Sequence, residues 1–253
     1  MRKIEMNNRK QAGFTLVEIA IVLVIIGLLL GGILKGQELI NSARVRNLAD
    51  QNSGVQAAYF GFIDRYRQVP GDWAILPAGQ AIGVAIINGG NGNGRVDNTV
   101  VEAAGLWEQL ARANFLAGGF ALPTVVPANE TAYGTTVPIN AFNAPLILTR
   151  NAGYTGVGSA RLNLHLGRNV PVSIARELDI KVDDGLPNSG VLRMTNPDGT
   201  NVAFDPINFA AIFVACTTTA AANAPANAAG TGGATDIFDV YDDSQDCGQV
   251  FLY

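Results

Sequence analysis

The chain has 253 residues, a net charge of −4, 15% charged residues, 29 glycines, two cysteines and one histidine. That length allows one or two domains, and the mixture reads as a loop-rich globular protein, neither disordered nor collagen-like. One histidine and two cysteines leave no zinc set, and no basic patch beyond Arg67 signals nucleic-acid binding.

Residues 1–13 carry Arg2, Lys3, Arg9 and Lys10 against a single acid, Glu5. Phe14 to Leu34 is then apolar apart from Thr15, Glu18 and three glycines. Twenty-one residues in a helix reach roughly 32 Å, enough to span a bilayer core. Positive charge before the span holds the leader in the cytoplasm and sends the rest of the chain outside the inner membrane. A cleavable secretory signal fits poorly, because its apolar region is about 7–15 residues and ends in a small-residue cleavage site. A plain single-pass anchor explains the length and the charge but not Glu18, an acid with a cost even near the interface. A buried core helix explains neither the leader nor the absence of polar positions.

Gly13-Phe14-Thr15-Leu16-Val17-Glu18, after a short basic leader and before an uninterrupted apolar run, resembles the class III signal of type IV pilins and type II secretion pseudopilins. The resemblance is strong over residues 1 to about 60 and loose beyond. It implies a prepilin peptidase that cuts between Gly13 and Phe14 and methylates the new N-terminus of Phe14. Glu18 matches the glutamate of that signal. A carboxylate in an apolar setting needs a partner, and the ammonium of Phe14 on a neighbouring subunit would supply one and set the helix register, as a buried polar residue does in a coiled coil. The competing reading is that Glu18 snorkels towards headgroups.

Beyond Leu34 no strong breaker appears until Pro70. Leu48, Val55, Tyr59, Phe62 and Tyr66 form a stripe at helical period, with Arg44, Arg46, Asp50, Asp64, Arg65 and Arg67 on other faces. Val69-Pro70-Gly71-Asp72 ends the run. One helix is therefore expected from about Phe14 to Gln68, with Gly31-Gly32 and Gly36 as its soft points. The organisation reads as a cleaved leader (1–13), a transmembrane and assembly helix (14–34), its amphipathic continuation (35–69) and a globular α+β head (70–253). The resemblance implies the lollipop shape of pilins, with an antiparallel β-meander and short helices in the head.

In the head, "NGGNGNGRVDN" from Asn88 to Asn98 is a turn-rich loop. Asn91, Asn93 and Asp97 alternate like half of a calcium loop, with Gly94 at the sharp turn, but the first ligand position is glycine and the terminal acid is missing at Val100. A structural Asn-Gly turn is the stronger reading; some pseudopilins bind calcium in the head, but their C-terminal motif is not clean in this chain. Glu102 to Gly118 reads as a short helix, with Leu106, Leu110 and Ala113 inward and Trp107 as core. Strands are expected at Pro145–Thr149, Ala160–Leu166, Val191–Thr195 and Ala211–Cys216. In the second, Leu162, Leu164 and Leu166 face in, while Arg161, Asn163 and His165 face solvent. Val172 to Val182 reads as helix, Asp183-Asp184-Gly185 as a turn, and Thr217 to Ala234 as a flexible surface loop. In an exported domain the even pair Cys216 and Cys247 favours a disulfide; in a cytosolic one it would be two free thiols. The acid clusters Asp179, Asp183, Asp184 and Asp242, Asp243, Asp246 read as solvated turns, with catalysis or calcium the lesser reading.

No residue set asks for catalysis: there is no G-x-S-x-G and no phosphate loop, so no enzyme and no cofactor is expected. The expected function is a structural subunit of a type IV pilus or type II secretion pseudopilus. Its partners would be prepilin peptidase, other pilin or pseudopilin subunits and the bacterial inner membrane, and its surface role adhesive. The rival is a single-pass, inner-membrane-anchored binding protein or enzyme that never polymerises.

Overall fold

The computed structural model describes residues 15–97, 99–120, 136–151, 160–194, 216–219, 224–225, 236–241, 244–245 and 247–253. The chain divides into two compact units, Met1–Ala43 and Arg44–Tyr253. The first helix, α1, is a single run of 51 residues, Leu16–Tyr66.

In the first unit α1 has no buried residue between 15 and 43. The helix passes through Gly27, Gly31, Gly32 and Gly36 without interruption, and a Cβ at any of them would meet nothing within 4 Å. The expected soft points are therefore continuous helix.

In the second unit the same helix becomes amphipathic. Val45, Leu48, Val55, Ala58, Tyr59 and Phe62 are buried in one stripe, and Phe62, Tyr66, Trp73 and Phe115 form a ring cluster with centroids 4.7–6.5 Å apart. The helix ends where Arg67 takes a left-handed φ of 54°, just before Pro70. Gly71 follows with φ 87°, and a side chain there would collide with the Glu102 carbonyl and the Leu106 side chain. Only glycine lets the chain turn this close to another helix.

The remaining helices are α2 (Ile75–Ile82), α3 (Val100–Arg112) and α4 (Val172–Val182); the strands are β1 (Ile147–Asn151), β2 (Arg161–His165), β3 (Leu192–Met194), β4 (Thr217–Thr219), β5 (Ala224–Pro225), β6 (Asp236–Phe238) and β7 (Gln249–Leu252). The fold is mixed α+β with an antiparallel sheet, as expected, and α4 has the expected bounds. The order of the main sheet, β1-β2-β7-β3, departs from a simple meander: the C-terminal strand inserts between β2 and β3. A second sheet has the order β5-β4-β6. Its strands β4 and β5 lie in the stretch expected to be a flexible loop, and Thr217 and Thr218 are buried. Of the strand expected at Ala211–Cys216, residues 211–215 lie outside the described residues.

One face of the main sheet, through Leu148, Leu164, Phe251 and Leu192, joins the core that includes the α1 stripe. The other face is buried as well. Thr149, Asn163, His165, Val250 and Leu252 follow the pairing register on that side, and all are at most 6% exposed. This corrects the reading of Asn163 and His165 as solvent-facing. β2 is an interior strand between β1 and β7, so alternation identified the more apolar face but not the fate of the other. Burial pulls the His165 imidazole down to about 4 and keeps it neutral.

Candidate assembly site

The N-terminal helix starts with a closed capping box. The Thr15 backbone N–H (2.9 Å) and hydroxyl (2.8 Å) both donate to Glu18 Oε2, and the Glu18 N–H donates back to Thr15 Oγ1 at 3.3 Å. The sequence signal for this arrangement is Thr-x-x-Glu before an apolar run. The acid also lies in the first turn, where the helix dipole favours negative charge. Thr15 is thus the partner that caps the helix with Glu18, a role the Thr-x-x-Glu spacing signals. Both bonds fall on Oε2; among the described residues, Oε1 takes no hydrogen bond. Gly13 and Phe14 lie outside the described residues.

Downstream of Glu18 the helix carries no Asp, Glu, Lys or Arg until Lys35, a stretch of 16 residues or about 24 Å. Its large apolar side chains, among them Leu16, Leu23, Leu28 and Leu34, are exposed. The helix is long and apolar enough to cross a membrane. Lys35 and Glu38 then pair at 2.6 Å on the exposed surface.

In the head, the structure brings Asn91, Asn93 and Asp97 together. Asn91 and Asn93 donate their amide N–H groups to Asp97 Oδ2 at 3.0 and 2.7 Å, and the Arg95 guanidinium reaches Asp97 Oδ1 at 2.7 Å. The amide oxygens of Asn91 and Asn93 accept the backbone N–H groups of Asn93 and Arg95 two residues on, each a local turn. These hydrogen bonds and the Arg95 guanidinium hold Asp97 below the usual carboxylate range, against the opposing effect of burial.

Three buried acids hold this loop: Glu102, which sits two residues past the expected terminal acid position, and Asp72 and Glu108, whose role the sequence did not signal. Asp72 accepts the N–H groups of Gly92, Asn93 and Gly94 at 2.6–3.1 Å. Glu108 accepts Ile87 N–H, Asn88 N–H and the Asn88 amide at 2.8–3.0 Å. Glu102 accepts the Asp97 N–H at 2.6 Å and the Asn91 amide at 3.1 Å; burial pushes its carboxyl above the ordinary range, against the Asp97 N–H that lowers it. Every residue from Glu102 to Leu110 is buried, so α3 is a central helix whose polar positions cross-link loops through backbone N–H groups.

Cys216 and Cys247 form a disulfide with Cα atoms 5.9 Å apart. It joins the residue before β4 to the segment leading into β7, and so links the two sheets. Of the acid clusters, Asp179, Asp183 and Asp184 converge at the end of α4; Asp242, Asp243 and Asp246 lie outside the described residues.

Residues 8–34 match the family model described as the Prokaryotic N-terminal methylation motif, the class III prepilin signal of type IV pilins and pseudopilins. No curated protein and no solved structure matches the chain.

Proposed function

We propose that this chain is a structural subunit of a type IV pilus or a type II secretion pseudopilus, held in the bacterial inner membrane before assembly. The observation that carries this reading is a coincidence: the methylation motif over residues 8–34 overlaps an unbroken apolar helix that opens on a Thr15–Glu18 capping box. Prepilin peptidase cuts between Gly13 and Phe14 and methylates Phe14. The cut leaves the Thr15 amide intact, so the box survives processing. Glu18 Oε1 is then directed to the Phe14 ammonium of the next subunit, while Oε2 stays bound to Thr15. Apolar helices released from lipid pack against one another, and the pairing of Glu18 with the ammonium sets their register. The work is mechanical: the helix builds the filament and the head presents the surface that touches partners.

Mass spectrometry of the mature N-terminus tests processing. An N-methylated Phe14 is expected, and an intact start at Met1 favours a non-polymerising anchor instead. Filament recovery after shearing the cells tests assembly. Glu18→Ala is expected to be cleaved yet absent from sheared filaments; normal assembly of that variant would sink the pairing.

A further inference from the structure

We propose that Asp179, Asp183 and Asp184, at the C-terminal end of α4, form a calcium-binding site. Asp179 lies in the last turn of α4, and the following residues fold back so that each of the three carboxylates offers an oxygen within 4.8 Å of the other two. The turn fixes each acid. Gly185, at φ 79°, donates its N–H to Asp179 Oδ1 at 3.1 Å. Asp183 Oδ2 accepts the N–H groups of Val191 and Leu192. Asp184 accepts the Leu186 N–H at 2.9 Å and the Ser189 hydroxyl at 2.6 Å. Gly190 passes directly over the Asp183 carboxylate, where any side chain would collide.

The independent observation concerns Asp179. It is 0% exposed, and its Oδ2 is buried without a hydrogen-bond partner. A buried acceptor in that state is costly. The cost persists while no donor or cation faces the oxygen. A cation would remove it.

The cationic side chains nearby are otherwise engaged. Lys181 pairs with Glu177 at 2.5 Å, and Arg193 donates its Nε–H to the Gly190 carbonyl at 3.1 Å while acting electrostatically on Asp184. Among the described residues no ion pair reaches Asp179 or Asp183. Three carboxylates are hard oxygen ligands. Calcium accepts such ligands in flexible geometry, whereas magnesium demands a near-ideal octahedron and gives up its water reluctantly. Asp184 is exposed and gives the ion its approach from solvent.

The site is remote in sequence from the N-terminal signal and stands whether or not the chain polymerises. The test is calorimetric titration of the detergent-solubilised full chain with calcium chloride and, separately, magnesium chloride. Melting in calcium and in chelator accompanies it. Calcium binding with a raised Tm is expected, with magnesium at least tenfold weaker. Asp179→Asn and the exposed-site variant Asp184→Asn are each expected to weaken calcium at least tenfold, while Asp97→Asn binds as wild type. Absence of calcium binding to the wild-type chain overturns the proposal. So does binding that survives in Asp184→Asn, or binding lost in Asp97→Asn, which would place the ion at the Asn91–Asp97 loop.

Discussion

Two helices of this protein begin on the same pattern, Thr15-Leu16-Val17-Glu18 at α1 and Thr99-Val100-Val101-Glu102 at α3. At α1 the box closes on itself: Glu18 takes both donors of Thr15 and remains exposed. At α3 Thr99 still accepts the Glu102 N–H at 3.4 Å, but Glu102 is 4% exposed and turns its carboxylate to Asp97 and Asn91. The pattern says where a helix starts. What its acid does next is decided by what packs over it. The same contrast runs along α1: its first 28 residues, to Ala43, bury nothing, and the stretch from Val45 to Phe62 supplies a stripe of the core.

The sharpest way to break this contrast is a paired truncation. Phe62→Ala should lower head stability by about 3–5 kcal/mol through lost burial and a cavity, whereas Leu23→Ala, 64% exposed, should leave it unchanged. Denaturant unfolding of the detergent-solubilised chain, followed by the two tryptophans, measures both; equal effects would erase the distinction. Next in size is the disulfide. Replacing Cys216 and Cys247 with serine opens a loop of sequence separation 31 and should cost about 3–4 kcal/mol in the head, with the helicity of α1 before Ala43 unaffected by circular dichroism.

A pH effect of similar order comes from His165. The unfolded chain takes up a proton below its ordinary 6.5, but the folded imidazole resists until about 4. The unfolded state therefore binds more protons between those values, and stability falls as pH drops from about 6.5 to 4, by on the order of 3 kcal/mol. It is fully present above 6.5. His165→Gln should show a visibly shallower loss over that window; identical slopes would place the pH sensitivity elsewhere. The smallest effects separate the two capping glutamates' neighbourhoods. Glu102→Ala strands the Asp97 N–H and should cost the head about 1–3 kcal/mol. Thr15→Ala should cost about 1 kcal/mol, confined to the first turn of α1, where amide hydrogen exchange would detect it.

Much of the fold was legible where the signal is local. The period of Leu48, Val55, Tyr59 and Phe62 marked the buried face of α1, and α4 announced itself at Val172–Val182. The Thr15–Glu18 box was equally legible, in the spacing of its threonine and glutamate before an apolar run. Strand β7 was not legible: Gln249-Val250-Phe251-Leu252 is four residues without alternation, and it becomes a strand only because β2 and β3 pair with it on both sides. Helix α2, with exposed Ile75 and Leu76, also gave no clear period. Asp72 and Glu108 carry no signal of burial in the sequence, and both are buried acceptors of backbone N–H groups contributed by a loop about twenty residues away.

By itself the sequence determined the start of α1, its apolar length, the methylation motif and the inward stripe. Each of these depends on the spacing of residues along one element, and helix geometry converts that spacing directly into a face or a span. Tertiary structure alone decided that His165 is neutral and buried, that α3 is enclosed on every side from Glu102 to Leu110, and that Asp179, Asp183 and Asp184 face one another at the end of α4. Burial and the convergence of carboxylates arise from elements distant in the chain or from a loop folding back, and no periodicity within a single segment carries that information.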